Sequence, residues 1–139
     1  MRTRIAPFTM TAVLLAGGTA AATTGSASAT EPKTNAAIQA ACLDTARGYT
    51  SAAGSGSRNA FWPEVTGTWA YTTSSCLDIN VKPNDTGRIK ACFKATNRCN
   101  GWTQAYKGQW ALAATDVYNS TAFYIQFEGT ARSTGLIAY

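Results

Sequence analysis

The sequence contains no histidine. Its absence excludes Ser-His-Asp and Cys-His nucleophile chemistry, histidine acid–base catalysis and any histidine-ligated metal. Charge is also scarce, at 14% of 139 residues, and acids are outnumbered, with 7 Asp and Glu against 12 Lys and Arg. No apolar run approaches the ~20 residues that span a bilayer as a helix. The chain carries no internal repeat and is long enough for one domain, too short for a cofactor-binding domain joined to a substrate domain.

What is present begins with a leader. Arg2 and Arg4 precede a short apolar stretch, Phe8 to Ala16, which breaks at Gly17-Gly18. A run of small residues follows and ends in Ala27-Ser28-Ala29. A positive start, a short apolar centre and an A-x-A ending form a bacterial-type secretory signal, cleaved after Ala29. The expected mature protein is one soluble extracellular domain over residues 30–139, with 10 basic and 7 acidic groups and a charge of +3.

Export alters the meaning of the cysteines. Cys42, Cys76, Cys92 and Cys99 are even in number in a small chain bound for an oxidising compartment, which favours two disulfides. A Cys₄ zinc site would show paired C-x₂₋₄-C knuckles, which are missing. Cys42–Cys76 with Cys92–Cys99 is the preferred pairing; the other two connectivities stay open.

Ile38, Cys42 and Ala46 recur at helical spacing from Asn35, with Gly48 placed to end a short helix. Residues 51–58 are small and polar, a loop by composition. From residue 61 the period becomes two. Val65, Gly67, Trp69 and Tyr71 form one alternating run, and Leu77, Ile79 and Val81 a second. Ile89, Ala91 and Phe93 form a third, Trp110, Leu112 and Ala114 a fourth, and Phe123, Ile125 and Phe127 a fifth. Leu136 to Tyr139 closes the series. Pro83-Asn-Asp-Thr-Gly87 reads as a hairpin turn, which would pair Val81 with Ile89, Ile79 with Ala91 and Leu77 with Phe93. The expected fold is all-β, a small disulfide-stapled sandwich or barrel with one short N-terminal helix.

Without histidine, carboxylates are the first acid–base candidates. Glu64 with Asp116 or Glu128 would suit a small carboxylate-based hydrolase, yet nothing in their spacing singles them out, and no catalytic residue, metal or cofactor is assigned. Basic residues cluster more: Lys82, Arg88, Lys90, Lys94 and Arg98 fall on the outward face and loop of the expected hairpin. Such a stripe meets anionic polymers or serves simply as a solvated face; at +3 net charge nucleic acid is disfavoured as the partner. Aromatics are the most unusual feature. Trp62, Trp69, Tyr71 and Trp102 sit near loops or strand ends, where core packing asks least of them, and are the binding candidates. Phe93, Trp110, Phe123 and Phe127 are in phase with the core.

Trp69-Ala70-Tyr71, then Cys76, then the strand Asp78-Ile79-Asn80-Val81-Lys82, then Cys92-Phe93, resembles the tendamistat-type α-amylase inhibitors secreted by actinobacteria; Gly108-Gln109 extends the likeness. It covers roughly residues 65–127. Ala70 stands where that family carries an arginine, and a final cysteine is missing. The resemblance implies a β-sandwich that inhibits a hydrolase through Trp69 and Tyr71. The function expected is therefore noncatalytic binding by a monomer, as an inhibitor of an extracellular hydrolase presenting an aromatic hairpin. The alternative is a carbohydrate- or cell-wall-binding module holding a polysaccharide.

Overall fold

Strict alternation in residues 87–93 and 122–127 builds the two strands at the centre of the larger of two sheets. The computed structural model describes residues 35–139; the expected leader, its cleavage site after Ala29 and residues 30–34 lie outside them. Helix α1 (Asn35–Asp44) is followed by strands β1 (Arg47–Thr50), β2 (Ala60–Trp62), β3 (Ala70–Tyr71), β4 (Ile79–Pro83) and β5 (Gly87–Phe93). Then come β6 (Arg98–Cys99), β7 (Thr103–Ala105), β8 (Ala111–Ala114), β9 (Ala122–Phe127) and β10 (Thr134–Ala138). The smaller sheet runs β1-β10-β4-β8, and the larger β2-β9-β5-β6, with β3 also on β9 and β7 also on β5. The ladders are antiparallel, as the all-β expectation requires.

One core fills the space between the sheets. Ile79 and Val81 of β4, Ile89 and Ala91 of β5, Phe123, Ile125 and Phe127 of β9, and Ile137 of β10 are buried together. A second, smaller cluster lies under the helix, where Cys42, Cys76 and Ala138 are buried with Leu43, Ala46 and Trp110 against them. The outward phase of β4 is thus covered as well. Asn80 is 2% exposed and accepts a 2.8 Å bond from Gln39 Nε2 of α1, so its amide oxygen is satisfied. Both disulfides form as preferred, Cys42–Cys76 and Cys92–Cys99.

Several sequence expectations need correction. β4 and β5 are not a hairpin: they lie in opposite sheets, and residues 83–87 arch between them. The arch spends its polar groups on other segments. Asn84 N–H donates to Thr134 O at 2.8 Å, and Pro83 O accepts from Gly108 N–H at 2.8 Å. Thr86 Oγ1 accepts from Lys107 N–H at 3.0 Å. Leu77 consequently does not face Phe93; it is outside the strands and 44% exposed. Gly48 does not end the helix but lies within β1, because Tyr49 is drawn into the core. The run from Val65 is a loop as far as Trp69, with Gly67 at φ +83° and only Ala70–Tyr71 paired as a strand. In β8 Ala114 is buried as expected, but Ala113 is buried beside it and Leu112 is 45% exposed, so the alternation is broken.

Tyr49 anchors β1. Its ring stacks on Phe127 at 5.3 Å, meets Trp62 edge-on at 6.5 Å, and its hydroxyl bonds Ser133 Oγ at 2.9 Å. Burial pushes the phenol from 10.0 to about 12; the Ser133 bond opposes this and the Asp85 charge adds to it. Since the unfolded chain releases this proton near pH 10 and the folded one holds it, stability falls as pH rises from 10 toward 12. The slope is at most ~1.4 kcal/mol per pH unit. Urea unfolding midpoints measured from pH 9 to 12 should show this decline, and Tyr49→Phe should flatten it. An equal decline in the variant would assign the loss elsewhere.

Candidate functional site

The inward residues of β5 and β9 build the core, so their alternate residues must face out. The outward set is where the aromatic and basic residues meet. Register places Tyr124 of β9 opposite Cys92, and Cys92 opposite Cys99 of β6. The next outward row holds Phe61 of β2, Gln126 of β9 and Lys90 of β5, with Trp102 beside Lys90. Beyond it, Glu128 accepts hydrogen bonds from Arg88. On the other side of Tyr124, Trp69 meets its ring edge-on at 5.5 Å, and Tyr71 emerges from β3 54% exposed. A row of four such positions is about 14 Å wide at ~4.8 Å per strand. Helix α1 packs on the smaller sheet and leaves these side chains, the buried Cys92 apart, half-buried or exposed.

Cations lie on the rings. Lys90 Nζ is 4.4 Å from the centroid of Trp102, with the Arg88 guanidinium at 5.9 Å from the same ring, and Lys94 Nζ is 5.9 Å from Trp69. Each is within cation–π reach, so the ammonium groups are positioned rather than free to sweep through solvent.

Beside Trp69 the face sinks into a groove of about 350 Å³, the size of a small-ligand site. Tyr124, Gln126, Phe61 and Asn59 line it, with Arg58 at one end and loop 65–68 as its lip. That lip is a closed turn: Thr68 N–H and Oγ1 both donate to Val65 O, at 3.1 and 2.7 Å, and Gly67 takes the left-handed conformation that favours glycine. Asn59 is fixed as well, its Oδ1 accepting from Gly129 N–H at 3.1 Å. Among the described residues no carboxylate lines the groove.

The expected site residues divide accordingly. Trp69, Tyr71 and Trp102 share the outer face of the larger sheet, with Arg88, Lys90 and Lys94. Trp62 turns the other way and packs on the core against Phe123 and Tyr139, at 6.4 and 5.8 Å between ring centroids. The basic stripe is not one hairpin face. Lys82 belongs to the smaller sheet, with its Nζ 5.9 Å from the ring of Trp110. Arg98 pairs with Phe93, in the phase opposite to the Cys92–Cys99 pair. The first departure follows from β4 and β5 lying in different sheets, the second from the β5–β6 register that the Cys92–Cys99 pair sets. Of the carboxylate candidates, Glu64 is 3.8 Å from Arg132, Glu128 is engaged by Arg88, and the Asp116 N–H bonds Asp78 Oδ1 at 3.1 Å. Hydrogen bonds from Arg88 hold the Glu128 carboxyl below its ordinary value, the wrong direction for a general acid.

Sequence reading passed over Tyr124, Gln126 and Asn59. A tyrosine in the polar phase of the 122–127 alternation was the available signal for Tyr124. The role of Asn100, visible in the sequence only as part of an Asn-Gly pair before Trp102, is structural: its Oδ1 accepts from Ala91 N–H at 2.9 Å and its Nδ2 donates to Ala113 O, which ties the segment before Trp102 to β5 and β8. No protein-family model, no curated protein and no solved structure matches the chain.

Proposed function

We propose that this is a secreted, noncatalytic glycan-binding protein that holds a polysaccharide against the outer face of its larger sheet. One observation carries the reading: Trp69, Tyr124 and Phe61 sit with the amides of Asn59 and Gln126 in one open groove that lacks a carboxylate. Aromatic rings stack on the apolar faces of sugars while amides bond their hydroxyls, and without acids the groove has no group for hydrolysing a glycosidic bond. Two disulfides in a small domain fit export to an oxidising compartment, and no helix among the described residues is long and apolar enough to cross a membrane. Retention on insoluble polysaccharides tests this. The protein is expected to partition onto the matrix, and Trp69→Ala to weaken retention roughly 10-fold or more, as removal of a central aromatic anchor does. Unchanged retention in a folded Trp69→Ala variant would remove the groove from the reading.

A second reading, inhibition of an extracellular hydrolase, has its own observation. Tyr118 is 87% exposed and Tyr71 54%, and both emerge beside Thr72. The Thr72 hydroxyl donates to Tyr118 O at 2.6 Å and accepts from Thr121 N–H at 2.8 Å. A braced, protruding tyrosine is a suitable protein-contact residue, and the tendamistat-type likeness points the same way. Against it, Ala70 is 7% exposed and pairs with Phe123 inside a ladder. An arginine at that position would point into the core. Inhibition by the wild type that Tyr118→Ala abolishes and Trp69→Ala spares would favour this second reading.

A further inference from the structure

We infer that the glycan taken by this face is anionic, a polysaccharide whose sugars carry carboxylate or sulfate groups; this rests on the glycan-binding reading above. The charges on and around the groove are unequal. Arg58 lines it, Lys90 stands next to Gln126 in the register, and Lys94 lies over Trp69 at its rim. The acids nearby are Glu128, engaged by Arg88, and Glu64, which lines an adjoining cavity that shares Arg58 with the groove and is 3.8 Å from Arg132. Among the described residues the ion pairs are Arg88–Glu128 and Arg132–Glu64, so Arg58, Lys90 and Lys94 have no carboxylate within ion-pairing distance.

Placement distinguishes these cations from an ordinary solvated fringe. Lys90 projects from the outward phase of β5, and Lys94 directly follows that strand, its N–H bonded to Ala122 O at 3.0 Å; four residues of extended chain set their stems about 13 Å from one another. Each ammonium group is held near a tryptophan ring, Trp102 and Trp69 respectively. A ring offers an ammonium attraction without neutralising it, so a ligand anion would find the full charge beside a stacking surface. A neutral glycan would use the rings and amides and leave that charge idle. A glycan bearing an anion on successive sugars would use both, with charged groups reaching Lys90 and Lys94 while the sugar faces lie on Trp69 and Tyr124.

Four polymers test the inference on the intact protein: polygalacturonate and its fully methyl-esterified form, dextran sulfate and dextran. At low salt, at least one charged polymer is expected to bind about 10-fold more tightly than its neutral counterpart. Which one does so tells carboxylate from sulfate as the source of the anion. Raising the ionic strength should reduce that preference. Lys90→Gln with Lys94→Gln should remove it, bringing the affinity for the charged polymer to within about 2-fold of that for its neutral counterpart measured on the same variant; unfolding midpoints establish that the variant is folded. Equal binding of charged and neutral partners would overturn the inference and leave the glycan reading standing. Single-stranded DNA bound as tightly as the best polysaccharide would overturn it too, since the rings would then be serving bases. Failure to retain any of the four polymers would sink the glycan reading itself.

Discussion

Gly135→Ala is expected to lower the unfolding free energy by about 3 kcal/mol, with a fall in Tm on the order of 15 °C. Gly135 lies in β10 between Tyr49 of β1 and Pro83 of β4. A methyl group built there would stand 2.2 Å from Lys82 O, 2.9 Å from Pro83 Cα and 3.0 Å from Tyr49 Cε1. The first two are backbone atoms of a paired strand and cannot rotate away. Relief requires β10 and β4 to separate at the point where the arch at residues 83–87 leaves the smaller sheet, and Asn84 N–H bonds Thr134 O there. Gly48→Ala is the matched control in a neighbouring strand, with nothing within 4 Å of the added carbon; its effect should stay within about 1 kcal/mol. Equal midpoints for the two variants would mean that β10 has more room than this packing implies.

Removing the two disulfides should have unequal consequences. Replacing Cys42 and Cys76 by alanine is expected to cost about 3–4 kcal/mol, against about 2–3 kcal/mol for Cys92 and Cys99, from loop-closure entropy alone. The sequence separations are 34 and 7, and the longer loop loses more freedom when closed. Packing adds to the difference. Cys42 and Cys76 are central to the small cluster under α1, and a helix of 10 residues is too short to persist alone. Its loss should appear as a drop in helical circular dichroism and as new proteolysis before residue 47, while the sheets remain. The Cys92–Cys99 variant should keep its helix and lose order in the turn between β5 and β6. If that variant proved the less stable of the two, the helix would not depend on its tether.

The contrast between what was legible and what was not has a physical basis. Alternation is local, so β5 and β9 could be read directly, and Ile89, Ala91, Phe123, Ile125 and Phe127 are buried as expected; the last strand, expected at Leu136 to Tyr139, runs from Thr134 to Ala138 with Ile137 and Ala138 both buried. The same alternation says nothing of which strand lies alongside. Ile79 and Val81 in one run and Ile89 and Ala91 in the next show the right face, yet the choice between closing a hairpin and crossing to another sheet depends on Thr134 and Lys107, far along the chain. Lys82 was therefore grouped with Lys90 although it belongs to the other sheet. Side-chain size misled in β8, where alanines fit between the sheets and Leu112 faces out. For the candidate site, Trp69, Tyr71 and Trp102 were identified by excess: aromatics at loops and strand ends. Tyr124 and Gln126 became visible only once register set them beside Trp69 and Phe61.

The arch between β4 and β5 also bears on how the molecule assembles. Because neighbours along the chain are sent to different sheets, little of either sheet can form from adjacent segments. β1 must find β10, joining Arg47 to Ile137, and β5 must find β9, joining Ile89 to Phe127. A topology so dependent on distant partners meets the entropy of loop closure before any reward, and such domains fold in milliseconds to seconds rather than microseconds. Strand edges stay unpaired in that interval. Until β10 arrives to stand between β1 and β4, both present open backbone to any other chain, so crowding during refolding should divert material into aggregates that dilution avoids.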